Sequence, residues 1–148
     1  MNETEVSLVE AADRFAEEKH RGQKDKAGKP YIEHPRAVAA LVSGELEKTV
    51  ALLHDTVEDT DASIQEIRQR FGDTVADAVD CMTHREGVPY MEYIAKIAQN
   101  PLARMVKLAD LTHNMDLTRI PHPTEKDFER IEKYRKAFAF LKEAEDTK

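Results

Sequence analysis

Residues 51–60 read ALLHDTVEDT. His54 adjoins Asp55, and Glu58, Asp59 and Asp61 follow closely behind. Like charges this near repel one another, and carboxylates beside an apolar run lose hydration. A cluster of this kind needs compensation, and a divalent metal ion would provide it if other parts of the chain supply further ligands. Two stretches can do so. VKLADLTHNMD, residues 106–116, sets Asp110 among apolar neighbours, with Asn114 four residues later and His113 between. YIEHP, residues 31–35, ends a loop on His34 directly before a proline. Two histidines and two carboxylates make a mixed nitrogen and oxygen set, which suits Mn, Fe, Zn or related ions without choosing among them. Singly, each piece has a plainer account. Glu58, Asp59 and Asp61 read as a solvated helix end, and His34, His84, His113 and His122 as structural histidines.

The elements that must position these residues are helical nearly throughout. Leu8, Ala12, Phe15 and Ala16 mark an amphipathic helix ending near His20. RGQKDKAGKP, residues 21–30, holds two glycines and a proline and reads as a loop. Pro35 opens a second helix carrying Val38, Leu41 and Val42, which stops near Gly44. Leu46, Val50, Leu53 and Val57 form the stripe of a third, continuous helix. On it His54 stacks with Glu58, and Asp55 with Asp59. Ser63 and Glu66 spell a capping box ahead of Ile64, Ile67 and Phe71. Gly72 ends that helix, and Asp73 caps the next, with Val75, Val79 and Met82 inward. Tyr90 to Ala98 is a short helix, and Asn100-Pro101 starts another that runs to Met115. Thr124 caps a last helix with Phe128, Ile131, Tyr134, Phe138 and Leu141 inward. The expected fold is an all-α bundle of about seven or eight helices, with residues 1–148 as one domain.

Composition narrows the classes of partner. The chain has 148 residues, 41% hydrophobic and 34% charged, which suits one globular domain. A net charge of −7 argues against a nucleic acid polymer as partner. A small anion remains compatible, because Lys19, Arg21, Lys24, Lys26 and Lys29 gather in one stretch of an acidic chain. Cys81 is the single cysteine, so neither a disulfide framework nor a cysteine-rich zinc site is expected within one chain. No membrane partner and a cytoplasmic location are expected, since the sequence shows neither a long apolar run nor a signal-peptide pattern. Oligomeric state stays open, a homo-oligomer included.

HRGQKDKAGKPYIEHP, ALLHDTVEDT and VKLADLTHNMD together resemble three ordered motifs of the HD-domain metal-dependent phosphohydrolases. The likeness is narrower still to the (p)ppGpp hydrolase domain of the RelA/SpoT family and to the small alarmone hydrolases. It runs from about Ala11 to Asp116. The resemblance implies that His34, His54, Asp55 and Asp110 hold one Mn²⁺. It implies that Glu58 and Asp59 orient and activate the attacking water. Lys24, Lys26, Tyr31 and Asn114 would contact the nucleotide, with Ile32 helping to wall the site. Two positions depart from the family pattern. Asp25 stands where an arginine often stacks on the base, and Leu117 where a hydroxyl residue is often found near the sugar. These departures put guanine selectivity in doubt and remain compatible with hydrolysis.

The resulting expectation is a Mn²⁺-dependent 3′-pyrophosphohydrolase acting on a small-molecule nucleotide such as (p)ppGpp or (p)ppApp. No nucleotide synthesis is expected, since no synthetase domain fits in this length. The rival readings are another HD-type phosphohydrolase, releasing orthophosphate from a nucleotide or dinucleotide cofactor, and a nucleotide-binding helical module without turnover.

Overall fold

A computed structural model describes residues 7–25 and 27–146. Eight helices of two turns or more account for most of them: α1 (Leu8–Lys19), α2 (Glu33–Ala40), α3 (Glu45–Leu53), α5 (Ile64–Phe71), α6 (Asp73–Met82), α7 (Tyr90–Ala98), α8 (Pro101–Asn114) and α9 (Glu125–Asp146). A single turn, α4 (Thr56–Asp59), and a 3-10 turn (Leu117–Arg119) complete the set among the described residues. The only strand-like feature described is an isolated bridge between Lys24 and Pro30, which pinches the loop before α2.

Two helices form the centre. In α3, Thr49, Val50, Ala51, Leu52 and Leu53 are all buried. In α8, residues 106–111 are buried on every side. A helix buried all round needs neighbours all round. Accordingly α3 packs against α1, α2, α6 and α8, and α8 also meets α7 and α9. The caps are mostly those the sequence spells. Ser63 Oγ accepts from Glu66 N–H at 3.0 Å, and Asn100 accepts from Ala103 N–H at 3.0 Å. Thr124 and Asp127 bond reciprocally at the start of α9, Thr124 N–H donating to Asp127 Oδ2 at 2.8 Å.

Several expectations need correction. The third helix is not continuous: it stops at Leu53, and α4 begins at Thr56. Side chains capture the carbonyls that a continuing helix would use. His54 Nδ1–H donates to Ala51 O at 2.5 Å, and Thr56 Oγ1 donates to Leu53 O at 2.8 Å. The second helix starts two residues before Pro35, at Glu33, and ends at Ala40, short of Gly44. Gly72, at φ 92°, both ends α5 and precedes α6, a backbone angle that disfavours other residues. Asp73 is then the first helical residue instead of the cap, and it accepts from Arg68 at 2.9 Å. Leu41, Leu46 and Phe128, expected inward, are exposed at 54%, 41% and 54%.

The tightness of the core is testable away from the site. Ile67 on α5 has no exposed surface. Ile67→Ala should cost about 2–5 kcal/mol in urea unfolding, because the vacated volume can only partly collapse. A loss well below 1 kcal/mol would mean that α5 is held loosely.

Candidate metal centre and substrate cavity

Three helices bring their donors to one place. His34 comes from the first turn of α2, His54 from the residue that ends α3, and Asp110 from the last turns of α8. One donor atom from each lies within 4.8 Å of the others, and all three residues are buried. Asp110 Oδ1 is 2.8 Å from His34 Nε2 and 3.1 Å from His54 Nε2. Asp55 adjoins this trio, its Oδ2 being 3.2 Å from His54 Nε2 and 3.7 Å from His34 Nε2. The interruption between α3 and α4 is what lets neighbouring residues His54 and Asp55 serve one point. On a continuous helix they would diverge by about 100°.

The donor set fits a cation. A carbonyl can only accept, so the bond to Ala51 fixes the proton of neutral His54 on Nδ1. The Nε2 lone pair then faces two carboxylate oxygens. Acceptors set against acceptors demand something positive between them, and a metal ion held through Nε2 meets that demand. With protein alone a proton does the work. Burial opposes charge on the His54 ring, yet Asp55 and Asp110 hold it well above its ordinary range. Asp55 in turn is brought down to about 2 against the opposing effect of burial, chiefly by His54. The buried Lys107 ammonium bonds Asp110 Oδ2 at 2.9 Å. Although burial works against the charge, Lys107 and then His54 keep Asp110 well below the usual carboxylate range. Oδ1 is thereby left for the two imidazoles and for Asn114, whose Nδ2 donates to it at 3.1 Å.

Around this centre the acids divide into two groups. Tyr31 OH donates to Asp55 Oδ2 at 2.6 Å and lies 3.5 Å from Asp59 Oδ2. Burial, then Asp55 and Glu58, raise Asp59 to about 6. Glu58 reaches the other way, where its Oε1 accepts from His84 N–H at 2.7 Å. Gln23 Nε2 steadies the turn by donating to Asp59 O at 3.0 Å.

A cavity of about 590 Å³ opens over the cluster. Its walls include His34, Asp55, Glu58, Asp59, Asp110, Tyr31, Asn114 and Lys24, all singled out in the sequence, whereas His54 is not among the lining residues. Lys26 lies outside the described residues. Ile32 and Leu117 are not among the lining residues. Asp25 does line the cavity, but it also holds its own loop, with Oδ1 accepting from the N–H groups of Ala27 (2.9 Å) and Lys29 (3.0 Å).

Other lining residues went unread in the sequence. Lys107, Arg119, Arg130 and Lys133 add positive charge, and Tyr90, Tyr93 and Tyr134 add aromatic surface. Lys133 Nζ sits 4.5 Å from the Tyr90 ring centroid and 5.6 Å from that of Tyr134. Lys107 left a readable trace, a charge inside the apolar run VKLADL. Arg130 and Lys133 left none, because an amphipathic helix ordinarily shows such residues to solvent. His113, weighed alone as structural, touches the centre, its Nδ1 being 2.7 Å from His34 Nδ1. Among the described residues no helix is long and apolar enough to cross a membrane.

A helical bundle that draws histidines and aspartates from three helices onto one buried point defines a class of domain built to hold a metal ion. The chain belongs to the HD domain family, whose model matches residues 12–141. Among curated relatives it is 41% identical over 133 residues to the guanosine-3′,5′-bis(diphosphate) 3′-pyrophosphohydrolase MESH1 of Homo sapiens, covering 80% of this chain and 74% of that protein. The MESH1 of Danio rerio is 38% identical over 148 residues, covering 90% of this chain and 82% of that protein. A GTP pyrophosphokinase of Streptomyces coelicolor is 40% identical over 121 residues, but the match spans only 14% of that longer protein. A solved structure described as a metazoan ortholog of SpoT that hydrolyzes ppGpp superposes with a TM-score of 0.76 at 27% identity, covering 95% of this chain and 88% of that one.

Proposed function

We propose that this chain is a Mn²⁺-dependent 3′-pyrophosphohydrolase of hyperphosphorylated purine nucleotides of the (p)ppGpp and (p)ppApp type, working as one domain in the cytoplasm. The observation that carries the reading is the placement of Asp59 and Glu58 beside the His34, His54, Asp110 and Asp55 cluster, at the floor of a cation-walled cavity. Curated relatives of similar length bear the name of a ppGpp 3′-pyrophosphohydrolase, which favours the same chemistry.

His34, His54, Asp55 and Asp110 would hold the ion. When bound, it supplies Lewis acidity toward water and toward phosphoryl oxygens. The remaining work falls to the protein. Asp59, kept near neutral in its pKa and joined to Tyr31, is placed to take a proton from the attacking water. Glu58, fixed on the His84 amide, helps to orient that water. An oxygen–phosphorus bond forms at the 3′-linked phosphate, the bond from that phosphorus to O3′ breaks, and the sugar oxygen leaves with the proton that Asp59 took from the water. Lys24, Asn114 and Tyr31 would contact the nucleotide, and Arg130 and Lys133 offset phosphate charge from the cavity wall.

The direct test offers purified protein ppGpp, ppApp and simpler nucleotides with Mn²⁺ and identifies the products. Pyrophosphate with the 5′-nucleotide is expected. Orthophosphate alone would show a phosphomonoesterase instead, and no product from any nucleotide would show a binding module. Lys24 tests the electrostatic part. Lys24→Glu should raise KM more than it lowers kcat, with an effect that shrinks as salt rises, because exposed charges are screened over about 8 Å at physiological ionic strength. A fall in kcat with KM unchanged would remove Lys24 from substrate capture.

A further inference from the structure

We infer that Asp25 and Arg119 together form a reader of the purine edge, one that favours adenine over guanine; this rests on the nucleotide hydrolase reading above. The two residues come from distant parts of the chain. Asp25 belongs to the loop before α2, and Arg119 ends the 3-10 turn after α8. Both line the cavity, and so do their close neighbours Ala27 and Ile120, which offer apolar surface for a flat ring.

Each side chain is held in place. Besides the two bonds to Oδ1, Asp25 N–H donates to Lys29 O at 2.8 Å, and Gly28 N–H donates to Asp25 O at 3.0 Å. The bonds to Oδ1 hold the carboxylate by its first oxygen and leave the second unused by the loop amides. Arg119 Nη1 donates to His113 O at 3.0 Å, tying the guanidinium to the end of α8. The turn that carries it is itself capped, with Asp116 Oδ1 accepting from Thr118 N–H at 3.0 Å. Arg119 Nη2 then stands 4.0 Å from Asp25 Oδ2. The two form an ion pair, but at that distance they share no hydrogen bond, so each keeps hydrogen-bonding capacity for a third group.

The cavity wall therefore shows an acceptor beside a donor in fixed orientation. The N6/N7 edge of adenine offers a donor beside an acceptor and matches this pair. The corresponding O6/N7 edge of guanine offers two acceptors, one of which would face the carboxylate. An Asp25→Asn change keeps an oxygen for the loop amides and places an N–H beside Arg119. The wall would then present two donors, the complement of the guanine edge.

Steady-state kinetics on ppApp, ppGpp and the 7-deaza analogue of ppApp test the idea. Wild-type kcat/KM should be higher on ppApp than on ppGpp, and a preference for ppGpp would overturn the reader. Loss of N7 should lower kcat/KM on the adenine substrate by about tenfold, chiefly through KM. Asp25→Asn should shift the preference toward guanine by about tenfold, and Arg119→Gln should raise KM for both nucleotides. The 7-deaza comparison needs no variant and stands even if the substituted loop misfolds. An active enzyme that ignores N7, or whose base preference is unchanged in folded Asp25→Asn, overturns the reader and leaves the hydrolase reading intact. An enzyme that cleaves neither nucleotide overturns both.

Discussion

Asp55→Ala and His54→Ala should each yield folded protein with neither tightly bound divalent ion nor measurable turnover. Three donors from α2, α3 and α8 meet within 4.8 Å, and Asp55 adjoins two of them. Removing His54 also breaks the bond to Ala51 that directs its lone pair inward. Two measurements check this independently of activity. Bound metal should be lost on dialysis from the variants and retained by wild type. Added Mn²⁺ should raise the wild-type melting temperature by mass action, about 2.7 kcal/mol of stabilisation at roughly a hundred times Kd, and leave the variants unmoved. Full activity after exhaustive dialysis against a strong chelator would sink the assignment.

Glu58→Gln and Asp59→Asn should keep the ion and lose most of the rate. Each preserves shape, and the amide oxygen introduced by Glu58→Gln can still accept from the His84 N–H, so the loss reports on the proton and not on packing. Losing a general base typically costs about 10²–10⁴-fold. The pH profile separates the two acids. Burial, Asp55 and Glu58 hold Asp59 at about 6, and a base works only when deprotonated. A bound cation favours the charged form and lowers that value, so wild-type kcat should fall as pH drops below about 6. If Asp59 is the base, the residual activity of Asp59→Asn should lack this limb, whereas Glu58→Gln should keep it. Wild-type rates in both variants would mean that the water is activated by other groups.

How much of this was legible in the sequence depends on what kind of force decides each feature. Hydrophobic period and cap residues give α5 and α8 nearly to the residue, because local burial and capping set their limits. The break after Leu53 was not legible. His54 and Thr56 make it by bonding to carbonyls three residues back, and a periodic stripe running on to Val57 conceals that competition. Phe128 fails for a related reason. Asp127 takes the inward position at the start of α9, only 5% exposed and bonded to Thr124, which turns the next residue outward. The residues of the buried cluster, and Glu58 and Asp59 beside it, were legible as a set because three motifs carry them in order. Arg130 and Lys133 were not, since they become cavity residues only when α9 packs across α7 and α8.

That dependence on α9 has a consequence for how the protein is made. A ribosome delivers the chain from its amino end, and the donors at 34, 54 and 110 are all synthesised before residue 125, where α9 begins. The proposed ion-holding residues thus precede Arg130, Lys133 and Tyr134 in the order of synthesis. α9 is the last of these parts to be made, and the cavity is completed only when it docks, after every proposed metal-holding residue is already in the chain.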